Sequence, residues 1–444
     1  MSKSSSRRAV RTALAAAVLV PFAAVFAGGT AAASPAADWT RPGSVFVGTN
    51  HNNSSDPSEP GNQIAYYHRA SDGKLTLVGT FATGGQGSGP GQRFAGDGLG
   101  SGNSVRLTAD HRFLLVTNAG SNTLSVLRIL PDRLQVVDVV PTGDGSSSQR
   151  FPNSVTQHGN VVYVLNAAGQ GSITGFRLGL DGRLTPIAGS TRQLKAAQDR
   201  FAPDALKDPT QVAFSPDGQH LLVSIKDGPT NDVIPGANPT GPGRVLTFGV
   251  DGAGRPSKDF VRTDFDNRGP FGFSFDKAGN VDLAEFVGGG VEDGHPTGAA
   301  GSYRLGRDGH LTPISTAVAD HQIDTCWVVN NGKYAFGSNY TSGTISSWKV
   351  NPDGSLTLLH EVAGTTDKSA NSQGSTPLDL GVSPDGKNLY NVLPGSGKLA
   401  AWSIGANGEL TKIGEFGGLP QTVNGDHAPS DFSALGSPAG IDVS

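Results

Sequence analysis

The sequence predicts an all-β fold assembled from one repeated sheet unit, and three observations carry that expectation. A short string, Asp-Gly-x-Leu-Thr, recurs at residues 72–76, 181–185, 308–312 and 353–357, with a close variant at 407–411 and degenerate copies at 132–134 and 251–255. Asp-Gly between β-rich segments is a strong hairpin signal, because both turn residues can adopt positive φ. Seven copies about 45–70 residues apart mean one supersecondary unit repeated seven times. A second turn, Ser-Pro-Asp-Gly, stands at 215–218 and 383–386, the first between Thr210-Gln211-Val212-Ala213-Phe214 and Leu221-Leu222-Val223-Ser224. Its Pro presets φ and its Gly takes the left-handed position. Composition agrees: the chain has 63 Gly, 28 Pro and only 16% charged residues, and no run follows the helical period near 3.6.

Taken in order, the chain begins with Arg7-Arg8 and Arg11, an apolar run over 13–27 and Ala31-Ala32-Ala33. These are the charged, apolar and small-residue sections of an export signal over 1–33. The apolar run is shorter than the roughly 20 residues that span a bilayer. The twin arginine fits the export route for folded proteins. A secreted, extracellular protein is therefore expected, with 34–42 as a linker. The first sheet unit starts at Ser44-Val45-Phe46-Val47 and lacks an innermost strand of its own. Innermost strands are expected to start at Asn103, Asn153, Thr210, Phe271, Asp324 and Leu378. The seventh falls at Ala439-Gly440-Ile441-Asp442-Val443. That last strand would complete the first sheet and cover two open edges at once. The expected architecture is a seven-bladed β-propeller of four-stranded blades, a single domain over 43–444 whose first blade is completed by the C-terminal strand. Such a ring needs no partner for stability, so a monomer is expected.

In a propeller, the loops joining second to third strands open on the face around the central channel. Here they are expected after Asn50, Asn118, Asn166, Lys226, Glu285, Asn339 and Leu393. Those at 51–61, 227–243 and 288–301 are long. The glycine-rich segment 84–102 would lie over the same face as a flap or linker, and Asn118 and Asn166 read as turn-formers. Several function classes are disfavoured. The 34 basic and 38 acidic residues give a net charge of −4, and no basic patch is interleaved with aromatics, so no nucleic-acid partner is expected. Nothing beyond residue 34 has the length and apolarity of a membrane helix. There is no His-x-x-x-His, no cysteine cluster and no EF-hand spacing, so neither metal nor cofactor is expected. Cys326, the single cysteine, forbids an intrachain disulfide and reads as a small buried hydrophobe in an apolar strand.

The Ser-Pro-Asp-Gly turn at 215–218, the strings Asp324-Thr325-Cys326-Trp327-Val328 and Ser342-Gly343-Thr344-Ile345-Ser346-Ser347-Trp348, and the repeated Asp-Gly-x-Leu-Thr together resemble a known family. It is that of the lactonase-type seven-bladed propellers, which contains 6-phosphogluconolactonase and the carboxymuconate-lactonizing cyclases. The likeness runs over 44–444 and is greatest to secreted bacterial members. It implies chemistry at the channel mouth by His, Glu and Arg side chains. Ala284-Glu285-Phe286 stands where the resemblance places the family's glutamate. The contexts of the family's histidine read Gly269-Pro270-Phe271-Gly272 and Pro152-Asn153-Ser154, without an imidazole.

Hydrolysis of a lactone needs a base for water and a donor for the carbonyl oxygen. Glu285 is the candidate base, Lys226 on the adjacent blade the candidate oxyanion partner, and His51 the candidate replacement for the missing imidazole. Asn103, Asn153, Gln211, Arg268, Asp324 and Asp379 are expected to bind a small-molecule ligand at the mouth, as directional donors and acceptors in a concave site. Two functions follow. One is hydrolysis of a small sugar-derived or organic-acid lactone; the other is a non-catalytic extracellular binding or scaffold role. Whether Glu285, Lys226 and His51 share one pocket discriminates between them.

Overall fold

The computed structural model describes residues 43–54, 57–89, 97–143, 149–199, 203–228, 239–366, 376–420 and 436–444. The expected export signal and the 34–42 linker lie outside them. Among the described residues no helix is long and apolar enough to cross a membrane.

Seven antiparallel sheets form the blades of a ring. The innermost strands of blades 2 to 7 are Val105–Leu107, Pro152–His158, Pro209–Phe214, Pro270–Phe275, Thr325–Asn330 and Leu380–Val382, close to the expected starts. Three further strands follow each of them outward in chain order, except that the outermost strand of blade 3 is broken into Leu184–Pro186 and Arg192–Gln193. Blade 1 runs from Ala439–Val443 inside through Ser44–Gly48 and Gln63–Arg69 to Leu75–Ala82. The C-terminal strand therefore closes the ring as expected, pairing Val443 with Val45 and Ile441 with Val47. Ser444 seals the seam: its hydroxyl accepts from the Ser44 N–H at 2.8 Å and its carbonyl accepts from Arg69. Each innermost strand packs on the next around the whole circle.

Both faces of a blade pack on neighbouring blades, so apolar side chains can point either way along one strand. Leu221, Leu222 and Val223 are all fully buried. Leu221 and Val223 pack with Leu165 and Ile173 of blade 3, whereas Leu222 packs with Phe273 and Leu283 of blade 5.

The recurrent Asp-Gly turn has a different geometry from the one its sequence suggests. Only its glycine takes positive φ, 83° at Gly73, 91° at Gly182 and 85° at Gly309. Gly73 N donates to Ala70 O and Ala70 N to Lys74 O. That is a longer loop ending on a left-handed glycine. The aspartate instead caps the turn, with Asp72 Oδ1 accepting from the Lys74 N–H and Asp181 Oδ1 from the Arg183 N–H, both at 3.1 Å. The glycine also presses on the preceding blade: a Cβ on Gly182 would stand 2.6 Å from the Phe113 ring.

A two-residue turn with both φ positive occurs where a long loop was expected. Asp293 (φ 48°) and Gly294 (φ 80°) link Glu292 to His295. The second and third strands of blade 5 accordingly extend to Val281–Glu292 and His295–Leu305. A bulge between Glu285 and Gly290 sets this hairpin extension off from the blade.

Candidate functional site

The expected site residues separate into the interior of blade 5, the central channel and the mouth cavity, with His51 apart from all three. Glu285 ends the regular part of its strand, and its fully buried carboxylate turns into blade 5. Arg268 Nη1 donates to both of its oxygens, at 3.2 and 3.3 Å, and the Tyr303 hydroxyl donates to Oε1. Burial raises its pKa, while Arg268 and Tyr303 oppose the rise. The same register is held by Asn118, Asn166 and Asn339 in other blades. Those asparagines are buried side-chain connectors rather than turn-formers. Asn118 Nδ2 donates to Ser125 at 2.7 Å, and Asn339 Nδ2 to Ser346 at 2.8 Å while its Oδ1 accepts from Thr325 at 2.8 Å. Glu285 thus occupies a slot that binds strands together elsewhere in the ring.

Asn103, Gln211 and Asp379 line the central channel, a polar space. Gln211 is engaged with the next blade: Nε2 donates to Phe273 O at 2.7 Å and Oε1 accepts from Phe273 N at 3.1 Å. Asn153 likewise donates to Pro209 O at 2.9 Å. Burial pushes Asp379 up to about 7, against the Gly440 N–H it accepts at 3.0 Å. His51 is half-buried in blade 1, where burial lowers its imidazole pKa.

Lys226 and Asp324 meet in a separate cavity at the mouth, opening to solvent. Neither Glu285 nor His51 lines it. Lys226 is 7% exposed, with its Nζ 4.5 Å from the Phe271 ring centre and 4.2 Å from that of Phe286. Its ammonium forms no hydrogen bond or ion pair with another described residue, while its backbone N–H donates to Asp208 O at 3.0 Å. Burial works against its charge, but the acidic groups around it, Cys326, Asp324, Asp208 and Asp97, outweigh that and raise its pKa. Asp324 has φ 71° and accepts from the Cys326 thiol and the Thr341 hydroxyl, both at 3.3 Å. Burial holds the Cys326 thiol well above its ordinary value. Trp327 lines both this cavity and the channel, its indole N–H donating across the ring to Ser101 O at 3.1 Å.

Sequence reasoning missed Asp97 and Asp208. Asp97 sits in the glycine-rich segment expected to be a flap or linker, where its Oδ1 accepts from the N–H groups of Leu99 (3.2 Å) and Gly100 (2.8 Å). Burial raises it to about 6, opposed by those N–H groups and by Lys226. Asp208, 1% exposed, is raised well above the usual range by burial, and its Oδ1 has no hydrogen-bond partner among the described residues. The only sequence signals were an aspartate inside a glycine run and an Asp-Pro at a strand start.

Residues 289–423 match the family described as lactonase, seven-bladed β-propeller. The fold is a lactonase-type propeller. A 6-phosphogluconolactonase candidate from Bacteroides fragilis shares 17% identity at TM-score 0.61, over 93% of this chain and 100% of that one. A second such candidate, from Bacteroides uniformis, shares 19% identity at TM-score 0.62, over 91% and 100%. The periplasmic gluconolactonase of Pseudomonas aeruginosa shares 18% at TM-score 0.59, over 90% and 98%. At these identities the likeness concerns the lactonase-type fold alone. No curated protein sequence matches this chain.

Proposed function

We propose that the mouth cavity hydrolyses a small lactone, with Lys226 as the oxyanion donor and Asp97 as the general base. One observation carries this reading: a buried ammonium with no hydrogen-bond or ion-pair partner among the described residues lines a cavity open to solvent. A cation held in place before reaction stabilises developing negative charge without reorganisation, and low local dielectric strengthens it. Phe271 and Phe286 fix its position while leaving its N–H donors available.

In the proposed reaction, water attacks the lactone carbonyl and gives up a proton to Asp97, while Lys226 donates to the carbonyl oxygen. The ring C–O bond then breaks, and Asp97 returns the proton to the departing alkoxide, leaving a hydroxy acid. A carboxylate raised to about 6 suits both proton transfers near neutral pH. Asp324 orients the ligand at the rim. Glu285 supports the blade rather than the chemistry, because its oxygens are committed to Arg268 and Tyr303.

Lys226→Met is expected to lower kcat/KM for lactones by about 100- to 1000-fold. Asp97→Asn should abolish a rise in kcat/KM centred near pH 6. Unchanged rates in both variants overturn the assignment. A non-catalytic binding role is the second reading, favoured by the lack of an imidazole among the described residues that line the cavity. A ligand that raises Tm and is never turned over supports it. Export, read from residues 1–33, is likewise proposed; N-terminal sequencing of protein recovered from culture medium tests it.

A further inference from the structure

Resting on the lactonase reading, we infer that the substrate is an uncharged lactone with an apolar or aromatic face, not a phosphorylated sugar lactone. The first support is charge. Among the described residues lining the cavity, Lys226 is the one cation, against the carboxyl groups of Asp97 and Asp324. Asp208 adds a third carboxyl near enough to act on Lys226. A phosphate would bring about two further negative charges into a site already rich in acid. Desolvating such a group without a matching cation is costly.

The second support is the set of donors. Phosphate recognition relies on Arg forks, lysines or free backbone N–H groups, and the one lysine of the cavity, Lys226, is already assigned to the lactone carbonyl. No described arginine lines the cavity. Two backbone donors next to Asp97, Leu99 N and Gly100 N, are taken by its carboxylate. Arg106, in the channel beyond Trp327, lies 3.5 Å from Asp442 and is paired with it.

The third support is the wall. Leu206, Phe286, Val287, Ile323 and Trp327 line the same cavity as Lys226 with apolar surface, and Phe271 meets Trp327 edge-on at 4.9 Å between centroids. Such a pocket places a carbonyl at Lys226 and packs the rest of the ligand by apolar contact. A polyhydroxylated ring would find partners only along the edge formed by Asp97, Asp324, Tyr340 and Thr341, and would set its remaining hydroxyls against the apolar wall.

The test compares dihydrocoumarin with 6-phosphoglucono-δ-lactone at neutral pH. The aryl lactone is expected to have a kcat/KM at least about tenfold higher, a ratio within the range one mismatched group produces. Thr341→Lys, which adds a cation at the exposed rim, should narrow that ratio by speeding the phosphorylated substrate. Faster turnover of the phosphorylated lactone overturns the inference and leaves the lactonase reading standing. If neither is hydrolysed, the lactonase reading fails, and calorimetry decides the ligand class separately. Binding of the lactam 3,4-dihydro-2-quinolinone without binding of 6-phosphogluconate supports the inference. Binding of 6-phosphogluconate, or of neither, overturns it.

Discussion

Replacing Glu285 by Gln keeps the size and one acceptor oxygen of the side chain but removes its charge. In the native blade that carboxylate is fully buried and accepts from Arg268 Nη1 through both oxygens, at 3.2 and 3.3 Å, as well as from Tyr303. Breaking a fully buried ion pair costs about 3–5 kcal/mol, chiefly because one charge is left uncompensated. Arg268 is 23% exposed in its side chain, so water recovers part of that loss, and the Gln carbonyl still accepts one bond. The remaining cost is about 1–3 kcal/mol, the range for hydrogen bonds to charged groups. Urea denaturation of wild type and Glu285→Gln should show a lower midpoint for the variant, with lactone kcat/KM within a few fold of wild type once both are fully folded. Tyr303→Phe should destabilise in the same direction and by less. An unchanged midpoint together with a kcat/KM lowered about 100-fold, the effect of losing a catalytic group, would refute the structural role given to Glu285.

Two further outcomes test the fold and its electrostatics. Gly182→Ala combines left-handed backbone strain with a Cβ 2.6 Å from the Phe113 ring, whereas Gly279→Ala (φ 85°) meets nothing within 4 Å. Gly182→Ala should therefore be the more destabilising by about 1 kcal/mol or more, the cost of overpacking between blades, and equal denaturation midpoints would contradict that packing. Asp379 is raised from 3.8 to about 7, so the folded protein binds its proton more tightly than the unfolded chain does. Its contribution to stability is present in full below pH 3.8 and is lost as pH rises through about 7. The decline of Tm across that window should be shallower in Asp379→Asn; an identical slope would show that this group does not titrate there.

The ring was legible because its signals are local and repeated. Turn glycines and Ser-Pro-Asp-Gly strings announce backbone conformations that few other residues adopt, and counting them required the C-terminal strand to complete blade 1. The Asp-Gly dipeptide itself was ambiguous. It stands in two loop types that share the left-handed glycine and differ in the φ of the aspartate, as Asp72 and Asp293 show. The site was less legible, because it is made by inter-blade contacts of high sequence separation. Lys226 and Asp324 were found as mouth residues, but nothing in Ala284-Glu285-Phe286 says which neighbour faces the cavity. Strand alternation sends Phe286 to Lys226 and Glu285 into the blade. Asp97 was hidden in a glycine run whose sequence reads as linker, and its role emerges only from the Leu99 and Gly100 N–H groups it caps.

A crystal structure with 3,4-dihydro-2-quinolinone bound distinguishes the mouth cavity from the blade interior and the channel as the working site. Its carbonyl oxygen is expected within hydrogen-bond distance of Lys226 Nζ and its aromatic ring against Trp327 and Phe286. Ligand density beside Asn103, Gln211 and Asp379 in the channel, or displacing Arg268 from Glu285, would contradict that placement.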